Sequence, residues 1–194
     1  MTWLDDPMVG FDTETTGVAT ASDRIVTAAL ITRTGDGPPS VRTWLIDPGI
    51  PIPAAASEVH GISTEKARAE GLQPADALAE IAGLLASALG AGIPVVGFNV
   101  QYDLSILEAE LARNSLPTLA ERLGGTIRPV VDPLVLDRHL DRWRRGSASS
   151  STCAPRMAWP WMPTISTLQT PTSSRPSTSC ARSRRATPRW VRLS

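Results

Sequence analysis

Asp12 and Glu14 stand two residues apart in the stretch VGFDTETTG, residues 9–17. Read as a strand, that spacing sends both carboxylates to one face. Like charges side by side repel and are costly to bury. A core strand that ends by aiming two negative charges at one point makes sense if a cation sits there. A third acid, Asp103, follows the short apolar run PVVGF (94–98) and is read as opening a helix. That places it at the edge of a sheet, beside a positive helix end. If strand 94–98 neighbours strand 8–13, three carboxylates converge. Hard divalent cations such as Mg²⁺ or Mn²⁺ suit such an all-oxygen set. Two ions about 3.5–4 Å apart generate hydroxide and stabilise both oxygens of an in-line phosphoryl displacement.

The elements that must position these acids follow from the pattern. Residues 8–13, 23–35 and 41–49 read as three strands, joined by short turns into an antiparallel meander. Residues 63–71 read as a short helix opening on Ser63 and closing on Gly71. Leu78, Ile81, Leu85 and Leu89 at helical spacing predict a helix over 74–92. Strand 94–98, helix 103–114, strand 128–133 and helix 134–145 complete the order. A meander followed by helix–strand–helix–strand predicts an α/β domain with a mixed sheet.

FDTETTG, VVGFNVQYDLSIL and the connecting stretch IPIPAAASEVHGISTEKA (50–67) resemble the DnaQ-like (DEDD) 3′–5′ exonucleases, the family of polymerase proofreading subunits. The resemblance covers residues 7–146. It implies an RNase H-like fold, a five-stranded mixed sheet flanked by helices. It implies Asp12, Glu14 and Asp103 as catalytic metal ligands, and two Mg²⁺ or Mn²⁺ ions in an intact member. It implies that the backbone around Thr13 and Glu14 holds a terminal 3′-OH, and that Asn99 and His60 touch the substrate strand. A DNA polymerase is the partner the resemblance suggests.

Each residue has a plainer reading. The acids of DTET could lie on a solvated edge strand, but the whole stretch GFDTETTG favours a metal. Asp103 alone could be a helix N-cap. Asn99 could cap a turn, and His60 before Gly61 could be a loop histidine. For His139, among charges on LVLDRHLDRWRR, a solvated face is the better reading. Asp132 is explained equally by a strand-end turn before Pro133 and by metal binding.

The 194 residues, 42% apolar and 20% charged, suit one soluble domain with a core and a tail. Cys153 and Cys180 lack metal-ligand spacing, which fits a reducing cytoplasm. No apolar run approaches the ~18 residues of a membrane span and no leader pattern opens the chain, so neither export nor a membrane is expected. The net charge of zero divides unevenly. All 19 acids and 12 of the 19 Lys and Arg lie in 1–146, a net of −7, while 147–194 carries seven Arg and no acid, a net of +7. This tail has eleven Ser, seven Thr, six Pro and no periodicity, and reads as disordered. Its Trp159, Trp161 and Trp190 are unusual for disorder.

The histidine-type branch of the family also needs a fourth carboxylate and a general base, arranged as His-x4-Asp near the end of the domain. No acid follows Asp141 and no histidine follows His139. A single base lost at the codons for Gly146-Ser147 accounts for both the gap and the tail. In the neighbouring frame Met157-Ala158 forces a Gly, Trp159-Pro160 an Ala, Trp161-Met162 an Asp, Met162-Pro163 an Ala and Trp190-Val191 a Gly. The remaining codons permit an acidic, amphipathic text that contains His-x4-Asp. The expectation is therefore an exonuclease domain over 1–146, truncated before its last motif, with an out-of-frame tail over 147–194 and impaired activity. The competing functions are an exoribonuclease of the same fold, and a catalytically dead nucleic-acid binder whose tail arginines grip phosphates.

Overall fold

The computed structural model describes residues 6–35 and 37–140; the tail over 147–194, Asp141 and the last five residues of the helix expected over 134–145 lie outside them. Strands β1 (Met8–Thr15), β2 (Ile25–Arg33) and β3 (Ser40–Leu45) form the expected antiparallel meander. The β1–β2 connection is a nine-residue loop rather than a short turn. Helices α1 (Ala54–His60), α2 (Thr64–Glu70) and α3 (Pro74–Gly90) follow, then β4 (Val95–Val96), α4 (Val100–Arg113), α5 (Leu119–Leu123), β5 (Val130–Val131) and α6 (Pro133–Leu140). The sheet order is β3-β2-β1-β4-β5, with β4 and β5 parallel to β1. This is the five-stranded mixed sheet flanked by helices of an RNase H-like fold. No described helix is long and apolar enough to cross a membrane.

The sequence chemistry explains the elements. Ser63 caps α2 by accepting the Lys66 N–H, as its position before the helix predicts. Thr118 and Glu121 form a reciprocal capping box on α5. Helices α1 and α5 were not anticipated. Helix α1 has no side-chain cap, and α5 is only five residues long, so neither leaves a strong periodic trace.

The main core joins one face of the sheet to α3 and α4. Val9, Phe11, Ala28, Leu30 and Trp44 meet Leu78, Ile81 and Leu85 of α3 and Ile106, Leu107 and Leu111 of α4. Burying each such side chain contributes about 1.5–3 kcal/mol. A smaller cluster of Val26, Ile52, Ile62 and Ala67 fixes the segment from α1 to α2. Strand β1 is therefore central and buried up to Phe11, and becomes half-exposed at Asp12, Glu14 and Thr15. The site forms where the central strand runs out of its cover.

Candidate active site at the end of the central strand

Asp12 and Glu14 share one face of β1, opposite Ala29 and Thr27 of β2, while Phe11 and Thr13 face the helices. The last β1–β4 pair is Gly10 with Val96. Beyond it the edge of β1 lacks a strand partner on that side, and Asp103 takes the place. Its Oδ1 accepts the Thr13 N–H at 2.9 Å and the Thr13 hydroxyl at 2.6 Å. A carboxylate thus continues the ladder where the neighbouring strand has ended.

The approach depends on local backbone chemistry. A Cβ on Gly97 would lie 2.5 Å from the Phe11 carbonyl oxygen, so only glycine lets the chain pass so close to β1. Asn99 then adopts φ 59° as the first residue flanking α4. Its side chain makes no capping bond, and its N–H is held by Asp132 Oδ1 at 3.0 Å. The helix begins three residues earlier than expected, so Asp103 lies within its first turn instead of opening it, and is not an N-cap. The negative charge still benefits from the positive helix end. Asp132 also accepts the Leu134 N–H at 2.9 Å. The strand-end turn before Pro133 accounts for this residue.

The electrostatics are those of crowded acids. Burial lifts the Asp103 carboxyl to about 7; the Thr13 hydroxyl opposes the lift and the Asp12 charge adds to it. Burial, then the Asp12 charge, raises Glu14 as well. Asp12 therefore lies within electrostatic reach of both other acids. Among the described residues no three His, Cys, Asp or Glu side chains form a ready-made metal cage. Asp12, Glu14 and Asp103 nevertheless match the hard, all-oxygen donor set of Mg²⁺ or Mn²⁺, and the strain of three neighbouring acids is what a cation relieves. They fit such an ion as part of a set, with room for further donors.

His60 ends α1 and is 6% exposed, so it is not a loop histidine. Its Nδ1 accepts the Ile62 N–H at 3.2 Å, which leaves the ring proton on Nε2. Among the described residues that Nε2 has no hydrogen-bond partner, nor does Thr27 Oγ1 on the face shared with Glu14. Burial lowers the His60 pKa, so the ring is neutral near pH 7. His139 lies in the exposed last turn of α6. Both donors of Thr13 are taken by Asp103, so Thr13 can meet a 3′-OH only as an acceptor, through its carbonyl or its hydroxyl oxygen.

Sequence reasoning missed Tyr102, whose hydroxyl donates to the Gly17 carbonyl at 2.6 Å and meets Thr15 Oγ1 at 3.0 Å. Its place directly before Asp103 was the available signal. Glu110 was also missed. It is 1% exposed on α4 and pairs with Arg113 and Arg24, which bind α4 to the loop after β1.

The model of the RNase_T family, described as "Exonuclease", matches residues 9–128, more than half of the chain. No curated protein matches by sequence. Among solved structures, E. coli exonuclease I in complex with a dT13 oligonucleotide superposes with a TM-score of 0.58 at 22% identity, over 74% of this chain and 31% of that one. The zinc-bound form of the E. coli ExoI–ssDNA complex gives 0.59 at 22% identity, over 72% and 30%. A product-bound exonuclease I gives 0.61 at 20% identity, over 78% and 38%. At such identities these likenesses establish a shared fold. The chain spans about a third of the length of these relatives.

Proposed function

Because the chain belongs to the RNase_T family of exonucleases, we propose that it is built to remove nucleotides from the 3′ end of single-stranded DNA with the help of divalent cations. One observation carries this reading: Asp12 and Glu14 leave one face of β1 where its cover ends, and Thr13 between them holds Asp103 at the same strand's open edge. Asp12, Glu14 and Asp103 would hold Mg²⁺ or Mn²⁺, two ions in a complete site. Bound cations would supply charge stabilisation for the displaced and attacking oxygens. The chain's own residues do the rest. Thr13 keeps Asp103 in place, and the Thr13 carbonyl is the group we assign to the terminal 3′-OH. We assign His60 and Asn99 to the substrate strand, Asn99 with a side chain not spent on capping.

Single-stranded DNA is favoured over RNA because the structural relatives are solved with DNA oligonucleotides. We assign the exonuclease domain to 1–146, in a cytoplasmic proofreading or repair setting beside a DNA polymerase. We further propose that 147–194 is read out of frame, so this chain lacks the fourth carboxylate and the general base and is impaired.

The test is digestion of 3′-labelled DNA and matched RNA oligonucleotides with Mn²⁺, by this chain and by a version with the frame restored after Gly146. The expected result is stepwise release from the DNA 3′ end by the restored version. A restored version that leaves DNA intact and trims RNA would transfer the assignment to an exoribonuclease. One that degrades neither, yet binds both, would make the protein a nucleic-acid binder. Independent sequencing of codons 140–150 checks the frame itself, and an intact frame matching this protein would refute the slip.

A further inference from the structure

The antiparallel pairing of β1 with β2 shifts register between Glu14 and Thr15. Such an irregularity re-aims the neighbouring side chains and increases local twist. Something must then fix the direction in which β1 leaves the sheet, because Glu14 is the last residue in regular pairing. Three oxygens gather just beyond it. The Thr15 hydroxyl donates to the Gly17 carbonyl at 2.6 Å, the Tyr102 hydroxyl donates to the same carbonyl at 2.6 Å, and the two hydroxyls are 3.0 Å apart.

We propose that Tyr102 is a positioning residue of the carboxylate site, whose hydroxyl holds the Gly17 carbonyl, and through it Thr15, so that the preceding Glu14 is aimed at the cation. The inference rests on the metal reading given above.

The geometry favours this role over simple packing. Adjacent residues of α4 act on alternate residues of β1: Asp103 takes Thr13, and Tyr102 shares the Gly17 carbonyl with Thr15. The helix is thereby fastened along the strand edge that β4 leaves open. The loop beyond is anchored independently. Asp23 accepts from the Ala19 N–H at 2.7 Å and from the Thr16 hydroxyl at 3.1 Å, and Arg113 donates to the Ala21 carbonyl at 3.0 Å. A Cβ on Gly17 would lie 2.6 Å from Asp23 Oδ2, so the turn sits hard against that side chain. The loop does not need Tyr102 to keep its shape. What the hydroxyl alone determines is how the loop's first residues meet α4, one step from Glu14. A phenylalanine would supply the ring's packing and lose only this.

The test is Mn²⁺ binding to the full chain, read from the free-ion electron paramagnetic resonance signal, with thermal unfolding in parallel. Tyr102→Phe should raise the Mn²⁺ dissociation constant roughly tenfold, the lower end of the range for groups that orient metal ligands. The unfolding midpoint of the cation-free chain should stay near that of the wild type. Thr15→Val should reproduce the loss, and the double variant should add little to either single change, because both remove one unit. Wild-type affinity in Tyr102→Phe, or fully additive losses, would overturn the positioning role while leaving the metal site standing. A wild-type chain that takes up no Mn²⁺, or takes it up equally with Asp12→Asn, would remove the metal reading and this role together.

Discussion

Asp103 and Thr13 lie ninety positions apart in the chain and share a single oxygen: Oδ1 of Asp103 accepts both the N–H and the hydroxyl of Thr13. This pair ties the first turn of α4 to the central strand and sets where the third acid stands. Thr13→Val keeps the shape and deletes one donor to a buried, charged acceptor. It should destabilise the chain by about 1–3 kcal/mol. Urea unfolding at pH 8 measures this; no change there would mean that the hydroxyl does not hold Asp103.

Asp103 also makes stability depend on pH. Its carboxyl titrates at about 7 in the folded chain, against roughly 3.9 unfolded. Between these values the folded state keeps a proton that the unfolded state has released. Stability should therefore fall as pH rises from about 4 to about 7, by on the order of a few kcal/mol from this group. The measurement is urea unfolding in chelator across that range. Asp103→Asn should flatten most of the slope; an equal slope in that variant would place its origin elsewhere.

The parts of this design that could be read from sequence are those written locally. Asp12 and Glu14 share a face because a strand has period two; that β4 lies beside β1 was only a condition of the sequence reading, since two strands and three helices separate them. The start of α4 was misplaced because Asn99 opens it in a left-handed conformation without a side-chain cap, so Val100–Tyr102 looked like linker. His60 looked like a loop residue because α1 shows no periodic apolar stripe, and its burial comes from packing that the segment's own pattern does not show. For Tyr102 the place before Asp103 was a signal, but its role could not be read, since its partners Thr15 and Gly17 are brought to it only by the fold. Asp132 had two readings, and the Asn99 and Leu134 N–H groups on its Oδ1 are what the turn reading requires.

Divalent cations should stabilise the folded chain, since they bind neighbouring acids that the unfolded chain does not gather. At ten times the dissociation constant the gain is about 1.4 kcal/mol. Differential scanning fluorimetry with MnCl₂ should show a rising midpoint for the wild type and a much smaller rise for Asp12→Asn. Protons compete for the raised Glu14 and Asp103 carboxyls, so the shift should be larger at pH 8 than at pH 5.5. A shift that ignores both the variant and the pH would point to binding elsewhere.

On the proposed out-of-frame reading of 147–194, the cost should appear in rate more than in substrate affinity. A missing general base costs about 10²–10⁴-fold. This chain should therefore release nucleotides from a 3′-labelled oligonucleotide at least about a hundredfold more slowly than the frame-restored version. Single-turnover kinetics at saturating Mn²⁺ is the appropriate measurement. Equal rates would show that 1–146 with its present tail already holds a complete catalytic set.

Gly97 and Gly83 offer a matched pair that separates the site's positioning from general stability. In Gly97→Ala the new methyl would lie 2.5 Å from the Phe11 carbonyl oxygen and 2.8 Å from Val100 Cγ2. Neither neighbour yields easily, since one is strand backbone and the other a buried side chain at the start of α4. The strand and helix must part, at a cost of about 1–3 kcal/mol, and the movement falls on the path that carries Asp103 to Thr13. Gly83→Ala, inside α3, meets nothing within 4 Å and should gain up to about 1 kcal/mol from helix propensity. Unfolding and Mn²⁺ titration of both variants should show a less stable chain with weakened cation binding for the first. The second should be more stable with binding unchanged. If Gly97→Ala loses stability yet binds Mn²⁺ as the wild type does, Asp103 does not reach the cation through the close passage at residue 97.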